Sequence, residues 1–244
     1  VAALVLIKGL LKDGIDLTSV EGASTLPYDI PHLAVELHTT KADVPVLWWR
    51  SVGSTHTAYS TETFIDELAT LAGKDPVAFR RDLLAKHPRF LAALDLAAQK
   101  ANWTQPLAAG KPGEKRGRGV AVHESFGTVV AQVAEVTVDK DNKFKVDRVV
   151  CAVECGIAVN PDVIRAQMEG GIGFGLSAAL YGKITLKDGV VEQSNFHDYP
   201  LLRINEMPVI EVHIVPSTAK PTGVGEPGVP VVAPAVANAL AQAT

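Results

Sequence analysis

The spacing of apolar residues predicts three helices in the first half of the chain. Apolar positions from Phe64 to Leu71 recur every three or four residues, so we expect a helix from about residue 60 to Gly73. Asp75-Pro76 begins a second helix, because Asp caps free N–H groups and Pro fits the first helical position. This helix is expected to reach about residue 86, and a third to cover residues 88–101. Residues 1–12 also show a helical pattern.

The second half of the chain mixes strands with helices. Apolar residues alternate through 119–154, and the polar turn 139–143 predicts a hairpin. Further along, the patterns predict a long helix from Asn160-Pro161, a hairpin around Lys187-Asp188-Gly189, a strand over 209–215 and a helix over 233–243. No βαβ unit repeats, so the expected fold class is α+β. The polar, Gly/Pro-rich segment 105–118 is predicted to be a loop that separates residues 1–110 from residues 111–244.

Composition narrows the function classes. Apolar residues make up 47% of the 244 and charged residues 20%, and the net charge of −4 gives no reason to expect nucleic-acid binding. No apolar run approaches the roughly 18 residues that span a bilayer. The apolar opening, residues 1–7, lacks a basic leader and a starting Met. We therefore expect a fragment of a longer protein and not a signal peptide.

Cysteine and histidine do not form a recognisable metal motif. Cys151 and Cys155 have no partners at zinc-finger spacing. On a strand they would share a face more than about 10 Å apart, at about 3.3 Å per residue, too far for a disulfide. The seven histidines include no pair at metal-ligand spacing on one helix. All of these residues are interpreted as structural.

The loop 222–234 places a single carboxylate, Glu226, among Gly and Pro residues. Gly lets a backbone approach a ligand closely, and Pro limits motion. A carboxylate held short of water there is expected to have a raised pKa and to accept a proton. The alternative is a surface turn before the C-terminal helix.

Four glycines occupy the six positions from Gly170 to Gly175. They do not fit a dinucleotide-binding motif, because the third glycine is missing and the run lies inside a predicted helix. Each glycine costs a helix roughly 1 kcal/mol relative to Ala. The expected reason is close approach of another backbone or of a bulky ligand.

Together these features resemble the molybdenum hydroxylases, specifically the large, molybdopterin-binding subunit of the isoquinoline 1-oxidoreductase type, which belongs with xanthine dehydrogenases and aldehyde oxidoreductases. The resemblance covers nearly the whole chain and rests on three blocks: residues 49–56 with 62–69, residues 155–161 with 165–171, and residues 223–228. The fold it implies is the molybdopterin-binding domain, with mixed sheets and packed helices. Residues 1–110 would hold a cofactor loop and a helical subdomain, and residues 111–244 the subdomain with the catalytic Glu loop.

The resemblance implies a role for individual residues. Glu226 would be the base in a hydroxylation of an N-heteroaromatic or aldehyde carbon, with water as the oxygen source. The implied cofactor-binding residues are Gln167, Arg50, Ser51, Val52, Gly53, Ser54 and Gly225. Alternatives for these residues are a polar helix face at Gln167 and an ordinary strand-to-helix turn at residues 50–54. Glu62, Phe64 and Leu68 are assigned to helix stability.

The implied cofactor is molybdopterin, in its cytosine dinucleotide form, with molybdenum that needs no protein ligand. Electrons would leave through [2Fe–2S] clusters of a small partner subunit, since no cysteine pattern here could hold a cluster. The family's upstream cofactor loops are absent from these residues, so the piece alone is expected to be inactive. The expected location is the periplasm, with the cytoplasm as the alternative. Two other hypotheses are an inactive scaffold paralogue and an unrelated α+β binding domain.

Overall fold

The computed structural model describes residues 11–12, 15–40, 44 and 48–244. The helix expected over residues 1–12 falls mostly outside this range, and its last two residues are instead strand β1 (Leu11–Lys12), paired with β2 (Ile15–Asp16). Five helices follow: α1 (Ser54–Leu71), α2 (Pro76–Leu83), α3 (Pro88–Lys100), α4 (Pro161–Tyr181) and α5 (Val232–Ala243). The remaining strands are β3 (Lys115–Ser125), β4 (Thr128–Val138), β5 (Phe144–Glu154), β6 (Leu186–Lys187), β7 (Val190–Val191) and β8 (Val209–Ile214).

One mixed sheet in the order β3-β4-β5-β8 organises the described part of the chain. β3, β4 and β5 are antiparallel neighbours, whereas β8 pairs parallel to β5 after the crossover through α4. The two predicted hairpins are confirmed, the second as the two-residue strands β6 and β7. The mixed sheet and its helices confirm the expected α+β class.

Both faces of this sheet are buried, because apolar side chains alternate between two cores. One core lies beneath α1, α2 and α3 and includes Val129 and Val133, and the other lies beneath α4 and α5 and includes Val130 and Cys151. Cys155 belongs to the same core as Cys151, and both thiols are free and buried. The division of the chain at residue 110 stays a prediction.

Three predicted boundaries were wrong. Helix α1 begins at Ser54, about six residues early, because its polar first turn hides the apolar periodicity. Helix α2 ends at Leu83, short of residue 86. Strand β3 begins at Lys115 inside the expected loop, because its basic residues form ion pairs with Glu135 of β4. The glycines of β3 allow α5 to pack closely against this strand, because a Cβ at Gly119 would lie 2.2 Å from the Ala239 nitrogen.

A buried ion pair joins α1 to α2. Arg80 has no exposed side-chain surface, and its Nε donates to Glu62 Oε2 at 3.0 Å. The same carboxylate accepts from the Tyr28 hydroxyl and from the Val122 backbone N–H. Burial, followed by the Glu62 charge, raises the pKa of Tyr28, so the phenol remains a donor. Glu62, assigned to helix stability, therefore holds α1, α2 and β3 together.

Replacing Arg80 with Met is expected to destabilise the fold by about 3–5 kcal/mol, because it leaves the Glu62 carboxylate buried without its cation. Denaturant unfolding would measure the loss. The matched control is Lys74→Met, which breaks the exposed pair with Asp82 and should cost less than about 1 kcal/mol. Equal losses in the two variants would contradict this role for the buried pair.

Candidate functional site

Arg50 brings two distant segments together. Its Nε donates to the Gly225 carbonyl oxygen at 3.0 Å, and its Nη2 donates to Gln167 Oε1 at 2.9 Å. Gln167 lies on α4, and Gly225 belongs to the Glu226 loop. Three of the residues named from the sequence therefore meet at one guanidinium, whose planar fork suits two acceptors at once.

Ser51 holds Glu226 from the same side. The Ser51 backbone N–H donates to Glu226 Oε1 at 3.0 Å, and the Ser51 hydroxyl donates to the Glu226 carbonyl oxygen at 2.7 Å. Ser51 is fully buried, while Glu226 is half-buried. The carboxylate is therefore anchored at one oxygen and keeps the other for a ligand or a proton.

The loop that presents these donors has an unusual backbone. Ser51 and Val52 have φ values of 76° and 38°, in the left-handed region that a β-branched residue rarely adopts. The turn is closed by a hydrogen bond from the Val52 N–H to the Trp49 carbonyl at 2.8 Å. Such conformations persist where surrounding contacts impose them, and they cluster at ligand sites.

Glu21 braces the other end of this loop, a role that no local pattern in the sequence indicates. Its Oε2 accepts from the Gly53 N–H at 2.9 Å, and a Cβ on Gly53 would lie 3.0 Å from the Glu21 side chain. Ser54 is buried and opens α1, whose N-cap Gly53 makes no side-chain capping bond. All five residues from Arg50 to Ser54 thus line one turn beside the Glu226 loop.

Two cavities flank this turn. An apolar one of about 450 Å³ lies between the start of α1, α4 and α5, and another of about 560 Å³ extends toward Thr18 and Glu21. Trp49 contributes to both cavities and stacks on Phe174 at a centroid distance of 4.5 Å. Both cavities also share Thr55 and His56, and neither is lined by Arg50, Gln167 or Glu226.

The polar groups that remain available are mainly donors. Within the described residues, Arg50 Nη1 and Gln167 Nε2 donate to no other protein group. They stand beside one anchored carboxylate. This set matches a ligand rich in acceptor atoms and with an amide-like edge, together with a reaction that needs a base.

His123 lies behind the Glu21–Gly22 turn and is almost fully buried. A Cβ on Gly22 would lie 3.1 Å from its ring. Its Nε2 has no partner among the described residues. Burial lowers the pKa of His123 to about 4, so the ring is neutral at physiological pH.

Neither a metal cluster nor a membrane span is found in the described part of the chain. No group of three or more His, Cys, Asp or Glu side chains there could hold a metal ion. Of the helices described, none is both long enough and apolar enough to cross a bilayer.

The strained turn, α4 and the Glu226 loop form a site in which hydrogen-bond donors stand beside one anchored carboxylate. The model of the molybdopterin cofactor-binding domain family matches residues 52–208, more than half of the chain. The chain belongs to this family, within the molybdenum hydroxylases. The hypothesis of an unrelated α+β binding domain is therefore wrong.

Curated relatives are considerably longer than this chain. It is 36% identical over 218 residues to the beta subunit of isoquinoline 1-oxidoreductase from Brevundimonas diminuta, covering 89% of this chain and 28% of that protein. It is 33% identical over 232 residues to a nicotinate dehydrogenase subunit of Pseudomonas putida, covering 89% of this chain and 20% of that protein. The chain thus spans less than a third of these relatives.

A solved structure supports the fold. Quinoline 2-oxidoreductase from Pseudomonas putida 86 matches with a TM-score of 0.72 at 14% identity, over 80% of this chain and half of that one. The expected molybdopterin-binding fold with packed helices is confirmed. The roles of individual site residues stay predictions.

Replacing Arg50 with Lys is expected to weaken cofactor retention by about tenfold or more. Lysine lacks the planar fork through which two guanidinium nitrogens reach Gly225 and Gln167, and a hydrogen bond to a charged group contributes about 1.5–3 kcal/mol. The rate of molybdenum loss on dilution of the complete protein would measure the effect. Arg165→Lys, an exposed change on α4, is the control. Equal retention in all three proteins would refute a bridging role for Arg50.

His123 predicts a pH dependence of stability. Its folded pKa of about 4 lies below the ordinary histidine value of 6.5, so the unfolded chain binds more protons between these values. Stability should therefore fall as pH drops from 6.5 to 4, by about 3 kcal/mol at most for this group. His123→Gln should show a flatter pH profile in denaturant unfolding. If stability depended on pH in the same way in the wild type and in His123→Gln, His123 would not be the source of the pH dependence.

Proposed function

We propose that this chain forms the Glu226 side of the active site in a molybdenum-dependent hydroxylase acting on an N-heteroaromatic or aldehyde carbon. The observation that carries the proposal is the convergence of Arg50, Ser51, Gln167 and Glu226 through four hydrogen bonds that span the chain. An ordinary surface turn would not be tied to a helix and to a second loop in this way.

The residues present fit a pterin cofactor. Arg50 and Gln167 offer donors toward acceptor atoms of a pterin, and Gly225 has no other group near the position of a Cβ, so a ligand can approach its backbone. When bound, the molybdenum cofactor would supply the two-electron redox chemistry. The residues proposed to hold it are Arg50, Ser51, Val52, Gly53, Ser54, Gln167 and Gly225.

Glu226 is proposed as the general base. The Ser51 N–H fixes Glu226 Oε1 and thereby orients Oε2 as a proton acceptor. Pro227, which is buried, restricts the backbone beside it. A positioned carboxylate of this kind would accept, at Oε2, the proton of the oxygen nucleophile in the hydroxylation.

Finer features of the proposal come from the family resemblance and the names of the relatives. The cofactor is proposed to be the cytosine dinucleotide form of molybdopterin, and a small subunit with [2Fe–2S] clusters is proposed to take the electrons. The isoquinoline, nicotinate and quinoline named for the relatives suggest an N-heteroaromatic substrate. We also propose a location in the periplasm or the cytoplasm and a division of the chain at residue 110.

Glu226→Gln is the decisive variant. Gln can still accept the Ser51 N–H, so the loop should keep its position while the base is lost. Activity of the complete protein with its small subunit should fall about 10²–10⁴-fold at unchanged molybdenum content. The assay would follow isoquinoline, nicotinate, quinoline and an aldehyde with an artificial electron acceptor.

Glu169→Gln provides the matched control, because Glu169 is an exposed carboxylate on the same helix as Gln167. This variant should keep full activity. Turnover that survives in Glu226→Gln would eliminate Glu226 as the base. Wild-type protein that holds molybdenum and oxidises none of the substrates would favour the inactive scaffold.

A further inference from the structure

Gln132 interrupts an apolar row at the centre of the sheet. It lies on β4 between Val130 and Ala134, on the face that packs against α4 and α5, and its side chain is fully buried. A buried amide is unfavourable unless its hydrogen bonds are made. An apolar side chain of similar length would avoid this cost, so the amide calls for a specific partner.

That partner is the Glu226 loop. Gln132 Nε2 donates to the Gly228 carbonyl oxygen at 2.9 Å. Gly228 stands two residues after Glu226, and the next residue, Val229, returns its N–H to the Glu226 carbonyl at 3.0 Å. The sheet therefore holds the short turn that carries the carboxylate through the Gly228 carbonyl.

The remaining polar groups do not compete for this bond. Gln132 Oε1 accepts no hydrogen bond from the described residues. The bond from Nε2 to Gly228 is therefore the one that the buried amide makes to the loop. Cys151 lies directly opposite Gln132 in the β4–β5 register. Burial raises the pKa of the Cys151 thiol to about 12, although its contact with the Gln132 side chain acts in the opposite direction, so the thiol stays protonated at neutral pH and the Gln132 amide keeps its bond to Gly228.

We propose that Gln132 is a positioning residue that holds the Glu226 turn through the Gly228 carbonyl. The expected effect on kcat rests on the proposed function of Glu226 as base. The effect of Gln132 on the position of the turn concerns only contacts within this chain. Ser51 acts on the carboxylate itself, and Gln132 acts on the backbone beneath it.

The test compares Gln132→Leu and Gln132→Glu in the complete protein. Leu removes the donor, so the Val229 amide should exchange with deuterium at least tenfold faster while amides of β4 and β5 keep their rates. The kcat should fall with KM and molybdenum content unchanged. A Glu at this site stays protonated at low pH, because burial raises carboxyl pKa values, and its O–H can replace the amide donor.

Compared with the wild type at the same pH, Gln132→Glu should therefore show normal Val229 protection and kcat at low pH and lose both as pH rises. A role in core packing alone would not produce this pH dependence. If Gln132→Leu does not fold, the measurements on Gln132→Glu still test the proposal. Val133→Ala, on the opposite face of β4, is the control and should destabilise the sheet without selective exposure of Val229.

Two results would overturn the inference. One is unchanged Val229 exchange in Gln132→Leu, whatever the activity. The other is a uniform loss of protection that Val133→Ala reproduces. Failure of the proposed function has a different outcome: full activity in Glu226→Gln, with Val229 still exposed selectively by Gln132→Leu.

Discussion

Close backbone approach between α4 and the loop after Glu226 is the constraint on which the site depends. A Cβ at Gly171 would lie 3.3 Å from the Gly228 backbone, and one at Gly175 would lie 2.9 Å from the Val229 carbonyl oxygen. Any larger residue would push the loop away from the helix. Because Gln167 stands one turn before Gly171, this packing also sets the spacing between Gln167 and the Glu226 loop.

The strained turn at Ser51 and Val52 is the third part of the site, beside α4 and the Glu226 loop. Positive φ values at two residues that are not glycine cost of order 1–3 kcal/mol each. In return, the turn aims the Ser51 N–H at Glu226 and the Arg50 side chain at Gly225 and Gln167. Helix, turn and loop therefore fix one another, and none of them alone would define the site.

Local patterns predicted most of the elements and failed where tertiary contacts decide. Asp75-Pro76 and Asn160-Pro161 start helices as expected, because their capping bonds are local. Of the four glycines of α4, Gly171 and Gly175 face a close backbone as expected, whereas Gly170 and Gly173 do not. The start of α1, by contrast, depends on a polar turn, and Glu21 and Gln132 act on segments far away in sequence. Alternating residues on β4 cannot reveal that one buried amide faces the Glu226 loop.

The strain at the turn can persist because α1 begins immediately after it and is held rigidly. The carboxylate of Glu62, in the middle of α1, accepts hydrogen bonds from Arg80 of α2 and from the Val122 N–H of β3. Its backbone carbonyl also accepts from Asn238 of α5 at 3.3 Å. A helix tied to two other helices and to the sheet cannot shift to relax Val52. The buried polar cluster around Glu62 thereby supplies rigidity that keeps the Ser51 N–H directed at Glu226.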